Sequence, residues 1–202
     1  RMKNTNHSLF DKYEMIKDLG TGSSGSVTLV RHISMDQERA LKKVPKASAF
    51  AESALSEARL LKSLEHPSIP RIFDFEEDNA FYYIVEEYID GETLDSFLLH
   101  QQLISPGLFF NICEQLCNVF IYLHTQISTP IIYRDLKPEH IIVCHNKLKL
   151  IDFGVSAYVI QDGNNFNHYG NIEFSAPECF TEDTITPAAD IYSLGQLLQD
   201  IL

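Results

Sequence analysis

Three glycines, Gly20, Gly22 and Gly25, stand at G-x-G-x-x-G spacing inside "GTGSSGSV" at 20–27, and an extended-type segment flanks them on each side. Tyr13 to Leu19 alternates loosely before them, and Ser26 to Arg31 follows at once. Without Cβ atoms, such a run turns tightly and exposes backbone N–H groups that suit phosphate. In dinucleotide-binding folds the same spacing opens a helix. Here the β-branched "SVTLV" follows, so the sequence predicts strand, turn, strand. Two readings stay open at this point: a backbone cover for phosphates, and an ordinary glycine hairpin.

The rest of the first half extends this sheet. "RALKKV" at 39–44 reads as a third strand, Arg71 to Phe75 as a fourth and "AFYYIVEEY" at 80–88 as a fifth, with "EEDN" at 76–79 as the turn between the last two. Between the third and fourth, residues 48–66 have helical periodicity, with Ala54, Ala58, Leu61 and Leu64 on one stripe and Pro67 and Pro70 beyond it. The second half changes character near Asp90-Gly91. A short helix is predicted within 90–99. A longer one runs from Ser105-Pro106 to about Ser128, with Phe109, Cys113, Leu116, Phe120 and Leu123 on its apolar face. Two short strands are predicted at 140–143 and 148–151, and an apolar, core-type helix at 188–202. The fold class is thus α+β, with an N-terminal lobe over 11–90 and a shortened, mostly helical lobe over 91–202. With 202 residues, 45% of them hydrophobic, the chain has material for one substantial core or two small ones.

Charge narrows the function classes. Sixteen Lys and Arg stand against 28 Asp and Glu, giving a net charge of −12 and no basic run, so nucleic acid is excluded as a general partner. Nothing at the N-terminus reads as a signal peptide, and the apolar runs are too short to span a bilayer. The four cysteines (113, 117, 144 and 179) lack metal-pair spacing and read as thiols of a reducing, cytoplasmic compartment. Arg1 in place of an initiating methionine reads as a processed or partial chain.

Several short segments carry chemistry. On the third strand Lys42 and Lys43 face opposite sides, so one ammonium points inward and needs a partner. Glu57, beside Ala54, Ala58 and Leu61, is the candidate; the alternative is two solvent-facing charges that never meet. In "YRDLKPEH" at 133–140, Asp135 could accept a hydroxyl proton and Lys137 hold a phosphoryl oxygen. In "DFG" at 152–154, Asp152 ends an apolar strand and suits a hard cation such as Mg²⁺. "APE" at 176–178 and "DIYSLG" at 190–195 complete the series.

With these six segments in this order, residues 11–202 resemble the eukaryotic-like protein kinases, in their bacterial serine/threonine branch. The resemblance implies a bilobal fold, a five-stranded antiparallel sheet plus one helix in the first lobe, and ATP in the cleft with Mg²⁺, or Mn²⁺ as an alternative. It assigns Gly20, Gly22 and Gly25 to the phosphate cover, and Val27, Ala40 and Ile142 to the adenine. Glu87 to Ile89 become the hinge. Lys42 takes the α/β-phosphates and Glu57 holds Lys42. Asp135 becomes the catalytic base, Lys137 the γ-phosphate contact, and Asp152 with His140 the metal position. Asp190 becomes the anchor of the catalytic loop, and Tyr133, Phe153, Leu61 and Ile72 an internal spine.

The departures are specific. Tyr133 replaces the usual histidine of the catalytic loop, His140 the metal-binding asparagine, and Glu86 fills the gatekeeper position. Asn171 replaces the threonine before "APE", and residues 157–174 hold no Ser or Thr that Arg134 could receive in phosphorylated form. The leading expectation is ATP-dependent phosphoryl transfer to serine or threonine of a protein substrate. The alternative is a nucleotide-binding pseudokinase acting as a regulatory or interaction module. The resemblance also implies further helices beyond residue 202, and so an apolar end covered by a second copy or another partner.

Overall fold

The computed structural model describes residues 8–22, 25–101, 103–158, 171–181 and 185–202. The fold is bilobal, with two compact units. One comprises the residues up to Leu64 with Pro70–Tyr88, and the other Glu65–Ile69 with the residues from Ile89 to Leu202.

The first unit is built on a five-stranded antiparallel sheet of order β1-β2-β3-β5-β4. Its strands are β1 (Tyr13–Gly22), β2 (Gly25–His32), β3 (Gln37–Pro45), β4 (Ile72–Glu77) and β5 (Phe81–Glu87). The two-residue period sends neighbouring side chains to opposite faces. One face gathers Val30, Leu41, Tyr83 and Val85, closed by Tyr13 and by Leu9 of a one-turn helix, α1 (Leu9–Lys12). The other gathers Val44 and Ile84 under Ala54 and Ala58 of α2 (Ala51–Lys62). Small alanines on that stripe let the helix lie close to the sheet.

The sequence reading contains no α1. Long-range contacts hold it: Glu76 accepts the Leu9 N–H at 2.7 Å, and Lys12 reaches Asp74 at 2.7 Å. That hydrogen bond to Asp74 raises the Lys12 pKa above its ordinary value. α2 also stops before the prolines that were expected to end it. Ser63 closes it by giving its N–H and hydroxyl to the carbonyl of Leu60.

The second unit carries small sheets among helices. β6 (Glu92–Thr93), β8 (Ile141–Cys144) and β9 (Lys147–Leu150) form one, in the order β6-β8-β9, and β7 (Ile131–Ile132) pairs with β10 (Ala157–Tyr158). The helices are α3 (Leu94–Leu99), α4 (Pro106–Ile121), α5 (Glu178–Thr181) and α6 (Ala188–Ile201). Ser105 caps α4 by accepting the Leu108 N–H, with Pro106 at the first position. α4 ends at Ile121 and continues as a π-turn over Tyr122–Gln126, short of the expected Ser128. Its buried row is Ile112, Leu116, Val119 and Phe120, whereas Phe109 and Cys113 are only partly covered. Leu194, Leu197 and Ile201 of α6 are buried, as its apolar pattern predicts. Gly91 is required by contact: a Cβ there would stand 2.4 Å from the Val143 carbonyl oxygen and 2.7 Å from the Ile142 side chain. Among the described residues, no helix is long and apolar enough to cross a membrane.

Candidate active site

In the first unit, the glycines close a hairpin. Gly20 pairs with Val27, Thr21 with Ser26 and Gly22 with Gly25; the tip residues 23 and 24 lie outside the described set. No helix follows, so the dinucleotide arrangement is excluded. Gly25 has φ +144°, and a Cβ on it would meet the Lys43 carbonyl oxygen at 2.1 Å, so no other residue fits.

Register does the rest. Val27 pairs with Lys42, Lys42 with Ile84, and Ala40 with both Leu29 and Glu86. Directly paired residues share a face. Val27, Ala40, Lys42 and Glu86 therefore stand on the α2 side of the sheet. Lys42 meets Glu57 there, Nζ to Oε2 at 3.0 Å, with side chains 21% and 12% exposed. Lys43 points the other way, 4.0 Å above the Phe81 ring. The inward lysine has thus found its carboxylate. Glu87 ends the sheet, its N–H bound to the Arg71 carbonyl.

In the second unit, the catalytic-loop segment hangs on one buried carboxylate. Asp190 of α6 is 0% exposed. It accepts the Tyr133 N–H on Oδ2 and the Arg134 N–H on Oδ1, both at 2.8 Å, and His124 Nε2 lies 2.8 Å from Oδ2. That anchor holds Arg134 at φ +77°, a left-handed conformation that costs a non-glycine residue about 1–3 kcal/mol. Tyr133 gives its hydroxyl hydrogen to the Ile151 carbonyl, and its ring packs edge-on against Phe153 with centroids 5.1 Å apart. The next backbone position, Asp152, is again left-handed at φ +60°.

Pro138 then opens a 3₁₀ turn, Pro138–His140, which folds His140 back over Asp135. Lys137 Nζ lies 3.1 Å from Asp135 Oδ2, so ammonium and carboxylate neutralise each other. His140 Nδ1 is 3.0 Å from the Asp135 carbonyl oxygen and 3.4 Å from Oδ2, and Nε2 is 3.4 Å from Asp152 Oδ2. Asp152 Oδ1 accepts the Gly154 N–H. Asp135, Lys137, His140 and Asp152 are therefore one cluster. Two donors bound to one cation at about 2.0–2.2 Å each stand no more than about 4 Å apart. At 3.4 Å, His140 Nε2 and Asp152 Oδ2 meet that limit. Among the described residues, no group of three or more His, Cys, Asp or Glu is arranged for a metal.

Past Asp152 the chain is tied to the catalytic loop without phosphate. Arg134 donates to the Val155 carbonyl at 3.3 Å, Ser156 Oγ donates to the Tyr133 carbonyl at 3.1 Å, and β10 pairs with β7. Of the segment 157–174 that holds no Ser or Thr, residues 159–170 lie outside the described residues. Ile89 and Ile142 are half-buried in this unit, whereas Leu61 and Ile72 belong to the first. His124 is the important residue that sequence reasoning missed. Its only signal is a polar side chain one turn after Phe120 on an otherwise apolar face.

The protein kinase domain family matches residues 13–202. The serine/threonine-protein kinase PrkC of Bacillus subtilis is 30% identical over 200 residues, 95% of this chain and 30% of that protein. The serine/threonine-protein kinase ppk25 of Schizosaccharomyces pombe is 33% identical over 188 residues, 90% of this chain and 44% of its own length. Calcium-dependent protein kinase 4 of Plasmodium falciparum is 32% identical over 216 residues, 100% of this chain and 39% of its own. The chain thus spans well under half the length of these relatives, and they come from bacteria and eukaryotes alike, so they do not single out the bacterial branch. On a match that takes in nearly every residue of both units, the chain belongs to the protein kinase domain family.

Proposed function

We propose that this chain binds ATP as a kinase-type nucleotide-binding domain and serves as a regulatory or interaction module. The observation that supports it best is the Lys42–Glu57 pair, formed at 3.0 Å with both side chains largely covered. A lysine held that way presents a fixed positive charge for phosphate oxygens. In this reading Gly20, Gly22 and Gly25 cover the phosphates, and Val27, Ala40 and Ile142 take the adenine beside the Glu87–Ile89 hinge. A divalent cation on Asp152 and His140 neutralises phosphate charge when bound.

A second reading, phosphoryl transfer to a serine or threonine of a protein, is favoured by the Asp135–Lys137 contact at 3.1 Å. Asp135 accepts the substrate hydroxyl proton as the oxygen–phosphorus bond forms and the β–γ bridging bond breaks, and ADP leaves. Lys137 steadies the γ-phosphoryl oxygens. A γ-phosphate transfer assay with Mg²⁺ and with Mn²⁺ separates the readings: transfer lost in Asp135→Asn establishes the kinase, and saturable nucleotide binding without transfer establishes the module. Absence of nucleotide binding overturns both.

A partner belongs to the same proposal, either a second copy or another protein. It is supported by exposed apolar side chains around α3 and α4, with Leu99 85%, Leu103 89% and Phe110 67% exposed. Sedimentation gives a self-associating species if the partner is a second copy.

A further inference from the structure

We propose that a cavity on the second unit, walled by residues 65–69, the end of α4 and β9, binds a small organic carboxylate with an apolar body. The site goes beyond the nucleotide reading above and does not depend on it.

The cavity has a volume of about 400 Å³, within the range of small-molecule sites. Side chains tie its walls together. Gln115 of α4 gives its amide hydrogens to Asn111 Oδ1 at 2.7 Å and to the Asn146 carbonyl at 2.9 Å, and its Oε1 accepts the Leu148 N–H at 2.8 Å. These bonds lock α4 to the β8–β9 hairpin. On the other side the His66 ring lies against the Tyr122 ring, centroids 5.1 Å apart, and the Tyr122 hydroxyl accepts the Glu65 N–H at 2.8 Å. The Leu150 N–H reaches the Ser68 carbonyl at 2.8 Å and closes the third joint. A cavity held at three joints is preformed, so little loss of conformational freedom opposes a ligand.

The lining decides the ligand's charge. Ser68 is 7% exposed and lines the cavity. Its N–H goes to His66 Nδ1 and its carbonyl to Leu150, so the hydroxyl is the group left for the cavity. Because Nδ1 accepts an N–H, the His66 ring carries its hydrogen on Nε2 and supplies a second donor. The amides of Asn118 and Gln126 and the Lys147 ammonium complete the polar lining. Among the described residues no Asp or Glu lines the cavity, although the chain has 28 of them against 16 Lys and Arg. Donors around one ammonium, with no carboxylate among them, suit an anion. One ammonium balances a single charge, which selects a carboxylate over a doubly charged phosphate. Ile121 and Leu148 offer the apolar body a surface.

Titration of benzoate, its neutral isostere benzamide and inorganic phosphate into the ¹⁵N-labelled chain tests the site through amide chemical shifts. Benzoate should shift the Ser68 and Leu148 amides and the Gln115 side-chain amide in a saturable way. Benzamide and phosphate should bind about fivefold more weakly or worse. Lys147→Met and Ser68→Ala should each weaken benzoate about fivefold or more, with amide shifts away from the cavity unchanged. Lys147 is exposed, so its replacement leaves the core intact. No saturable shift with benzoate, shifts confined to other parts of the chain, or affinity indifferent to both substitutions overturns the site. Benzamide or phosphate bound as tightly as benzoate overturns the carboxylate as its ligand.

Discussion

The Lys42–Glu57 pair and the Asp135–Asp152 cluster solve one problem, fixing charged side chains in place, by different physical means. In the sheet unit the lysine sits on a strand whose register fixes its face, and the glutamate sits on a helix whose alanine stripe fixes its face. Every contributing backbone is regular. In the helical unit the residues sit on loops with two left-handed non-glycine positions, Arg134 and Asp152. Their geometry is imposed from a distance by Asp190, 56 and 57 residues along the chain from the N–H groups it accepts. Regular structure positions a pair at little energetic cost. An irregular loop needs a buried polar anchor, and that anchor becomes the most sensitive point of the fold.

The largest effect should therefore come from the anchor. Asp190→Ala strips two backbone N–H groups and His124 of their acceptor in a site without water access, a cost of about 3–5 kcal/mol. Urea unfolding of the variant should show that loss. A change below about 1 kcal/mol would mean that the loop is held by something else.

Glu57→Gln sharpens the comparison from the other side. Because the pair keeps some solvent exposure and regular elements hold both residues, stability should fall by less than about 1 kcal/mol. Affinity for ATP should nevertheless fall about tenfold, as a charge-assisted contact that orients Lys42 is lost. Unfolding and nucleotide titration on the same preparation check both halves.

The same contrast explains what the sequence reveals. β-Branched runs and turn residues locate all five large strands, and two-residue alternation puts Lys42 and Lys43 on opposite faces, so local pattern makes Lys42–Glu57 a candidate pair; the fold decides between that and two charges that never meet. α1 was invisible because its cover comes from Leu9 meeting residues on β2, β3 and β5, a contact no window of sequence contains. Residue order alone, through resemblance, pointed to the Asp135 loop. Neither periodicity nor spacing shows that His140 lies against both Asp135 and Asp152, because the 3₁₀ turn and the strained φ at Asp152 bring them together. The β6, β7 and β10 pairings, two residues each, are too short to leave a signal.

The smallest effect tests the helical unit under a change of pH. Burial, with Lys149 nearby, pushes His66 below its ordinary pKa of 6.5, and its Nδ1 accepts the Ser68 N–H at 3.1 Å. The unfolded chain therefore takes up this proton first. The contribution is complete above pH 6.5 and is lost as pH falls through the lower folded-state value. After solvent screening it should stay well under about 1 kcal/mol. Urea midpoints for the parent and His66→Asn should converge as pH drops from neutral toward the acid side. Curves that remain parallel would show that His66 titrates alike in both states.

Calorimetric titration of a non-hydrolysable ATP analogue with divalent metal, into the parent, Lys42→Met and Asp152→Asn, tests the proposed nucleotide binding and the parts proposed in it for Lys42 and for Asp152. The account predicts saturable one-site binding by the parent, weakened by each substitution, with the metal dependence of affinity lost only in Asp152→Asn. Binding indifferent to both substitutions, or no saturable binding by the parent, would contradict it.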